Sequence, residues 1–167
     1  TSPAARLGGL ASREMVLIGG YSGTGKSSLV AHALRLIAGR GACCVTGKFD
    51  AMRQLQPLSA VVSALGDYCN FLSRDAGRIE GVRRAVTAAF SGEGMVLTNL
   101  VPNLKKIINW EDCALPVVVN GREAMQRLLF QFRMFFRATC SCEHPVVFCL
   151  DDLQWVDEVS LELMEAL

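Results

Sequence analysis

The sequence lacks an excess of charge of either sign. Its 167 residues include 17 lysines and arginines and 16 aspartates and glutamates, so the formal net charge is +1. It also lacks a basic tract, because the only adjacent cationic pairs are Arg83-Arg84 and Lys105-Lys106, which we attribute to solvated helix faces. Binding to nucleic acid depends on such tracts, so nucleic acid is not indicated as a partner.

Long hydrophobic runs are absent too. No segment approaches the ~18 apolar residues of a membrane-spanning helix, and no signal-peptide core lies near the N-terminus. The seven cysteines are an odd number without regular spacing, which argues against a disulfide framework. Free thiols in apolar runs predict a reducing, intracellular (cytoplasmic) compartment.

Repeats, low-complexity tracts and linkers are likewise missing. The composition is 51% hydrophobic and 20% charged, which excludes a disordered chain and is typical of one domain with a real core. The pattern of elements predicts an α/β class. Strands are expected over residues 15–20, 42–45 and 145–150, a first helix over 26–38, and a helical insert over about 57–141. Asp157 is the expected N-cap of a last helix.

What the sequence does contain is a glycine-rich loop, Gly20-Tyr21-Ser22-Gly23-Thr24-Gly25-Lys26-Ser27, of the form G-x-x-x-x-G-K-S. An apolar segment precedes it and a helical pattern follows it, which is the context of a phosphate loop. Backbone N–H groups and the positive end of the helix would face the phosphates. The loop predicts binding of ATP or GTP with Mg²⁺, and the absence of an N/T-K-x-D motif favours ATP.

Side chains in this loop have distinct expected roles. Lys26 reaches the β- and γ-phosphates, Ser27 gives a hydroxyl to Mg²⁺, and glycines allow close approach of the backbone. The nucleotide-binding residues expected from the motif are Gly20, Ser22, Gly23, Thr24, Gly25, Lys26 and Ser27.

Two carboxylates, Asp151 and Asp152, follow the apolar strand at residues 145–150. The carboxyl ends of parallel strands are where ligands bind in such folds. Asp151 is the expected magnesium partner, through water, and Asp152 is placed to orient or deprotonate an attacking water. The predicted catalytic residues are therefore Lys26, Asp151 and Asp152, and the predicted metal ligands are Ser27 and Asp151.

Several other residues leave alternatives open. Lys48 and Asp50 either approach the γ-phosphate or form a salt-bridged loop, and Trp155 either stacks or packs. The cluster Cys140, Cys142, His144 and Cys149 is interpreted as a loop before a strand rather than a zinc site, since its spacing matches no common module. A Phe-rich stripe over 130–136 is interpreted as core rather than a docking face.

Two motifs carry a family resemblance. The run D-D-L-Q-W-x-D at 151–157 and the segment G-K-F-D at 47–50 resemble those of origin-recognition-complex-like AAA ATPase domains of the STAND type, found in large multidomain signalling proteins. Weaker likeness at 101–104 and 122–128 extends it over about residues 15–167. The resemblance adds Ser28 to the phosphate loop and matches Asp151 and Asp152 to the magnesium and hydrolytic acids. Many relatives have Glu at the second acidic position, so slow turnover is expected.

The resemblance implies a P-loop NTPase three-layer sandwich whose parallel sheet has the strand order 5-1-4-3-2. Residues 1–167 would then be the N-terminal part of one domain, with strands 1–3 and the helical insert but without strands 4 and 5, the lid, the sensor motifs and an arginine finger. The missing middle strand would leave a gap of about 10 Å between its neighbours. We expect the chain to be poorly stable alone.

The implied function is an ATP-binding, ATP-hydrolysing conformational switch, with ATP or ADP, effector or sensor domains of the same longer chain, and a second copy as partners. The alternative is a nucleotide-gated interaction and assembly module with little or no hydrolysis, and whether the chain is itself an ATPase is left open. A small-molecule kinase is a third hypothesis, which the D-D-L-Q-W-x-D run and the helical insert disfavour.

Overall fold

A pair of parallel strands carries the acidic end of the candidate site. A computed structural model describes residues 14–53, 56–90, 95–108 and 121–166. Strand β1 (Cys43–Lys48) lies parallel to β2 (Val146–Asp151), in a register that runs from Cys43 opposite Val146 to Lys48 opposite Asp151. Alternate residues of β1 are buried, whereas β2 is half-buried up to its exposed last residue, Asp151. The register places a lysine and an aspartate side by side where both strands end.

Helices make up most of the described chain. Their bounds are α1 Lys26–Ala38, α2 Ser59–Arg74, α3 Ile79–Phe90, α4 Met95–Leu100, α5 Gly121–Thr139 and α6 Glu158–Ala166. Short 3-10 turns span Ala51–Arg53, Pro102–Lys106 and Leu153–Trp155. No helix in these ranges is long and apolar enough to cross a membrane.

The core lies between β1 and helices α2, α3 and α5. Tyr68 of α2 is fully buried and its ring meets Phe135 edge-on at 5.9 Å between centroids. Phe136 of α5 contacts Phe148 of β2 edge-on at 5.2 Å, which joins the helices to the sheet. Phe132 and Phe135 are fully buried, so the interpretation of the stripe as core is confirmed for these residues. Phe130 is the exception, with 56% of its surface exposed.

The predicted first strand is wrong for this structure. Residues 15–20 belong to no strand, and Met15, Val16 and Leu17 are 75%, 81% and 77% exposed. A strand forms only where its backbone groups find a ladder partner, and in the described residues β2 pairs with β1 alone. Within the described ranges the sheet therefore has two strands rather than the three expected. This mixed helix and strand architecture is compatible with a partial P-loop domain.

Other boundaries are closer to expectation. The first helix covers Lys26–Ala38 as predicted. Strand β1 extends beyond the predicted 42–45 to Lys48, and β2 covers 146–151 instead of 145–150. Helices α2 to α5 lie within the expected insert, of which residues 91–94 and 109–120 are outside the described residues.

Candidate nucleotide site

The phosphate loop owes its shape to two glycines in the left-handed region. Gly23 has φ 81° and Gly25 has φ 85°, and Gly25 is the N-cap of α1. A Cβ added at either glycine would meet no atom within 4 Å. The backbone conformation, rather than crowding, therefore requires glycine at both positions, because other residues are strained there.

Lys26 is folded back over its own loop. Its Nζ donates to the carbonyl oxygens of Gly20 and Tyr21, both at 2.7 Å. Thr24 Oγ1 donates to the same Tyr21 oxygen at 2.8 Å. The ammonium group is thus already positioned at the loop by carbonyl dipoles that a more negative phosphate would replace.

Asp151 and Asp152 stand where β2 ends. The N–H of Asp152 donates to Asp151 Oδ1 at 2.9 Å, and Asp152 has a left-handed φ of 58°. Aspartate tolerates this conformation better than most residues. The Asp152 carboxylate has two polar neighbours. Gln154 Nε2 donates to its Oδ1 at 3.1 Å, and Lys48 Nζ lies 3.3 Å from its Oδ2.

These neighbours decide the charge of Asp152. The hydrogen bond from Gln154 lowers the pKa of the Asp152 carboxyl, as do the bond from Lys48 and the charges of Lys48 and Lys26. The carboxylate is ionised at neutral pH, since even its ordinary pKa is 3.8. The charge of Lys26 contributes least among these causes.

Not every predicted site residue is brought together. The side chains of Ser22, Ser27 and Ser28 are exposed, and within the described ranges no hydrogen bond joins them to either aspartate. The chemistry of the donor set nevertheless fits a nucleotide and Mg²⁺. Left-handed glycines open a loop at a helix N-terminus and a lysine stands over it. The Ser27 hydroxyl and the Asp151 carboxylate would supply oxygen ligands of the kind that Mg²⁺ prefers.

Gly47 has a packing role that the sequence pattern did not predict. A Cβ at this position would lie 2.5 Å from the backbone oxygen of Ala60 in α2 and 2.9 Å from Leu150 Cδ2 in β2. Only glycine lets the first turn of α2 come this close to β1, which fixes the backbone immediately before Lys48. The G-K-F-D segment at 47–50, which contains this glycine, was the sequence pattern that pointed to this position.

Asp157 ties the acidic loop to the start of α2. Its Oδ1 accepts from the N–H of Ser160 at 2.8 Å, which confirms the predicted N-cap of α6. Its Oδ2 accepts from the hydroxyl of Ser160 at 2.6 Å and from the N–H of Leu58 at 3.2 Å. The carboxylate that ends the D-D-L-Q-W-x-D run therefore holds together two loops at the site.

The remaining candidates have local roles. Asp50 Oδ1 accepts from the N–H of Met52 in the adjoining turn, and Trp155 is 41% exposed. His144 contacts Ser141, and Cys140 Sγ lies 3.7 Å from the hydroxyl of Tyr68. In the part of the chain that the structure describes, no three His, Cys, Asp or Glu side chains lie together as metal ligands.

Comparison with known proteins identifies the class. The AAA ATPase domain family matches residues 4–167, so this chain belongs to that family, whose members bind nucleotide, usually with Mg²⁺. The chain is also similar to hybrid signal transduction histidine kinase G of Dictyostelium discoideum, with 28% identity over 156 residues. That match covers 93% of this chain and 4% of the relative. No solved structure shows a significant match.

Proposed function

We propose that this chain is an ATP-binding, ATP-hydrolysing switch domain of a signalling protein. The observation that carries the proposal is the position of Asp152. It lies directly after the carboxyl end of β2, 3.3 Å from Lys48. Hydrolysis of a nucleotide requires a carboxylate that activates water to face a loop that binds phosphates. The charge of Lys26, which helps to lower the pKa of Asp152, supports this arrangement.

Each residue has a role in the proposed reaction. Lys26 binds the β- and γ-phosphates, and the loop N–H groups hold the remaining oxygens. Ser27 and Asp151 would hold Mg²⁺, which would supply positive charge to neutralise the phosphates. Asp152 accepts a proton from the attacking water. The water oxygen bonds to the γ-phosphorus, the bond to the bridging oxygen breaks, and ADP leaves with that electron pair.

A nucleotide-gated assembly module is the second candidate. Both carboxylate oxygens of Asp152 already have a partner, Gln154 on one and Lys48 on the other. A carboxylate engaged in this way is a weaker base for water, and aspartate reaches one methylene less far than the glutamate common at this position. In this alternative, nucleotide binding changes the conformation of the domain and thereby the assembly it forms with its partners. Little ATP is hydrolysed.

The setting of the domain is also part of the proposal. The similar Dictyostelium protein is a hybrid signal transduction kinase, and the match covers 4% of its length. We infer a STAND-type regulatory domain that works beside sensor or effector domains of one longer chain or with a second copy. Residues 1–167 would be the N-terminal part of that domain, with the insert over about 57–141.

The test is nucleotide binding and phosphate release by the full chain and its Lys26→Ala variant. We expect the wild type to bind ATP with Mg²⁺ and the variant to lose at least tenfold in affinity, since a charged phosphate contact is removed. Lys105→Ala, the same substitution at an exposed lysine of the Pro102–Lys106 turn, is the matched control. Phosphate release abolished by Lys26→Ala supports hydrolysis, whereas binding without release supports the assembly module. Absence of binding by the wild type would refute both.

A further inference from the structure

The exposed ion pair between Lys48 and Asp152 is not explained by the roles assigned above. Lys48 Nζ lies 3.3 Å from Asp152 Oδ2, and the side chains are 69% and 34% exposed. Exposed pairs of this kind hold their partners weakly. An ammonium group on a long stem can therefore leave this carboxylate for a group with more negative charge.

The backbone beneath Lys48 is fixed on both sides. Gly47 is buried against the oxygen of Ala60, and Phe49 is 2% exposed. The N–H of Phe49 donates to the carbonyl oxygen of Asp151 at 3.1 Å, which continues the ladder past the end of β1. The side chain of Lys48, by contrast, is 69% exposed, and its stem starts opposite Asp151. Such an anchor suits a lysine that exchanges between two nearby anions.

The charges at this edge are arranged around one place. Lys48 stands opposite Asp151 in the register of the two strands, and its Nζ lies 3.3 Å from Asp152 Oδ2, so a lysine and two carboxylates meet where the strands end. Lys26 is bound elsewhere, to the backbone oxygens of Gly20 and Tyr21. The proposed function requires Asp152 to face the attacking water. Because Lys48 Nζ lies 3.3 Å from Asp152 Oδ2, Lys48 would then stand beside the terminal phosphate that the water attacks. ADP has no phosphate there.

From this arrangement we propose that Lys48 is a second phosphate-binding lysine that distinguishes nucleoside triphosphate from diphosphate. It leaves Asp152 for the terminal phosphate when triphosphate is bound and returns to Asp152 when only diphosphate remains. The exchange also releases one oxygen of Asp152 for water. This inference rests on the proposed function and assigns to β1 the residue that senses the state of the nucleotide.

The experiment measures the affinity of the full chain for ADP and for the slowly hydrolysed analogue ATPγS, each with Mg²⁺, by calorimetry. Lys48→Met keeps the length of the side chain and removes its charge. We expect it to weaken ATPγS binding about tenfold and to change ADP binding by less than about twofold. Lys48→Arg, which keeps the charge, should restore most of the lost affinity, and Lys105→Met should change neither affinity.

A second background separates direct contact from simple neutralisation of Asp152. In Asp152→Asn, the added Lys48→Met change should still weaken ATPγS binding about tenfold. If that effect disappears, Lys48 only screens Asp152, and the proposal is wrong. Equal losses for ATPγS and ADP, or no loss for either, would also overturn it. These outcomes differ from failure of the proposed function, in which the wild type binds neither nucleotide.

Discussion

At the scale of single residues, the candidate site consists of side chains whose neighbours are few and polar. Asp152 takes an unusual left-handed backbone and binds Gln154 and Lys48, and all three lie at the ends of strands or just beyond.

The buried thiols have the opposite environment. Burial raises the pKa of Cys43 to about 11 and that of Cys69 to about 12, from an ordinary value of 9.0. These cysteines therefore pack as neutral apolar groups and are poor nucleophiles.

The buried thiols predict a loss of stability in alkali. Between pH 9 and about 11 or 12 the unfolded thiols ionise while the folded ones stay protonated, so the free energy of unfolding falls as pH rises through this window. Burial also raises the pKa of Tyr68, which acts in the same direction. Urea denaturation followed by circular dichroism from pH 7 to 10.5 measures the fall. Cys69→Ala should flatten the curve and the exposed Cys142→Ala should not. Equal stability at pH 8 and 10.5 would contradict the argument.

At the scale of elements, the close approach of α2 to β1 depends on Gly47. A methyl group at this position would lie 2.5 Å from the backbone oxygen of Ala60 and 2.9 Å from Leu150 Cδ2, so there is no room for it. We expect Gly47→Ala to lower the free energy of unfolding by about 2 kcal/mol, as overpacking of a core does. Gly81→Ala in α3 is the control. It has open space and should stabilise the chain by about 0.5–1 kcal/mol.

The midpoints of urea denaturation of these two alanine variants test whether α2 and β1 pack as closely as the distances indicate. Destabilisation by Gly47→Ala together with stabilisation by Gly81→Ala shows that the position, not the residue type, sets the effect. If Gly47→Ala is as stable as the wild type, α2 is able to move away from β1. The packing that positions Lys48 would then be looser than the distances indicate.

Elements with a strong local signal could be predicted from the sequence. Helix α1 follows from its 3–4 spacing, and the cap at Asp157 follows from its position before the apolar run of α6. The strand at 15–20 was wrong because a strand also needs a neighbour, which no local pattern reports. The ion pair of Lys48 with Asp152 was left open for the same reason, since it joins residues about a hundred positions apart through the register of two strands.

At the scale of the whole molecule, side chains are buried to very different extents in the helical core and in the segment that carries the glycine-rich loop. The core of α2, α3 and α5 contains many fully buried side chains, while α1 has no buried residue and Met15 to Leu17 are exposed. The outer edge of β2 has no strand partner in the described ranges. The side of the molecule that carries the phosphate loop is therefore held by few contacts, which supports the proposal that residues 1–167 are part of a larger domain.

This inequality predicts two classes of amide hydrogen exchange in the isolated chain. Amides of residues 14–38 should exchange at least a hundredfold faster than those of α2 and α5, because local opening of α1 exposes little apolar surface. Mass spectrometry of timed exchange measures both classes. Saturating ATP with Mg²⁺ should slow exchange in α1 and leave α2 nearly unchanged, whereas the Lys26→Ala variant should show no such protection. If α1 and α2 exchange at the same rate and the chain melts in one cooperative step, the domain is complete in itself, and the proposal that it is part of a larger domain is wrong.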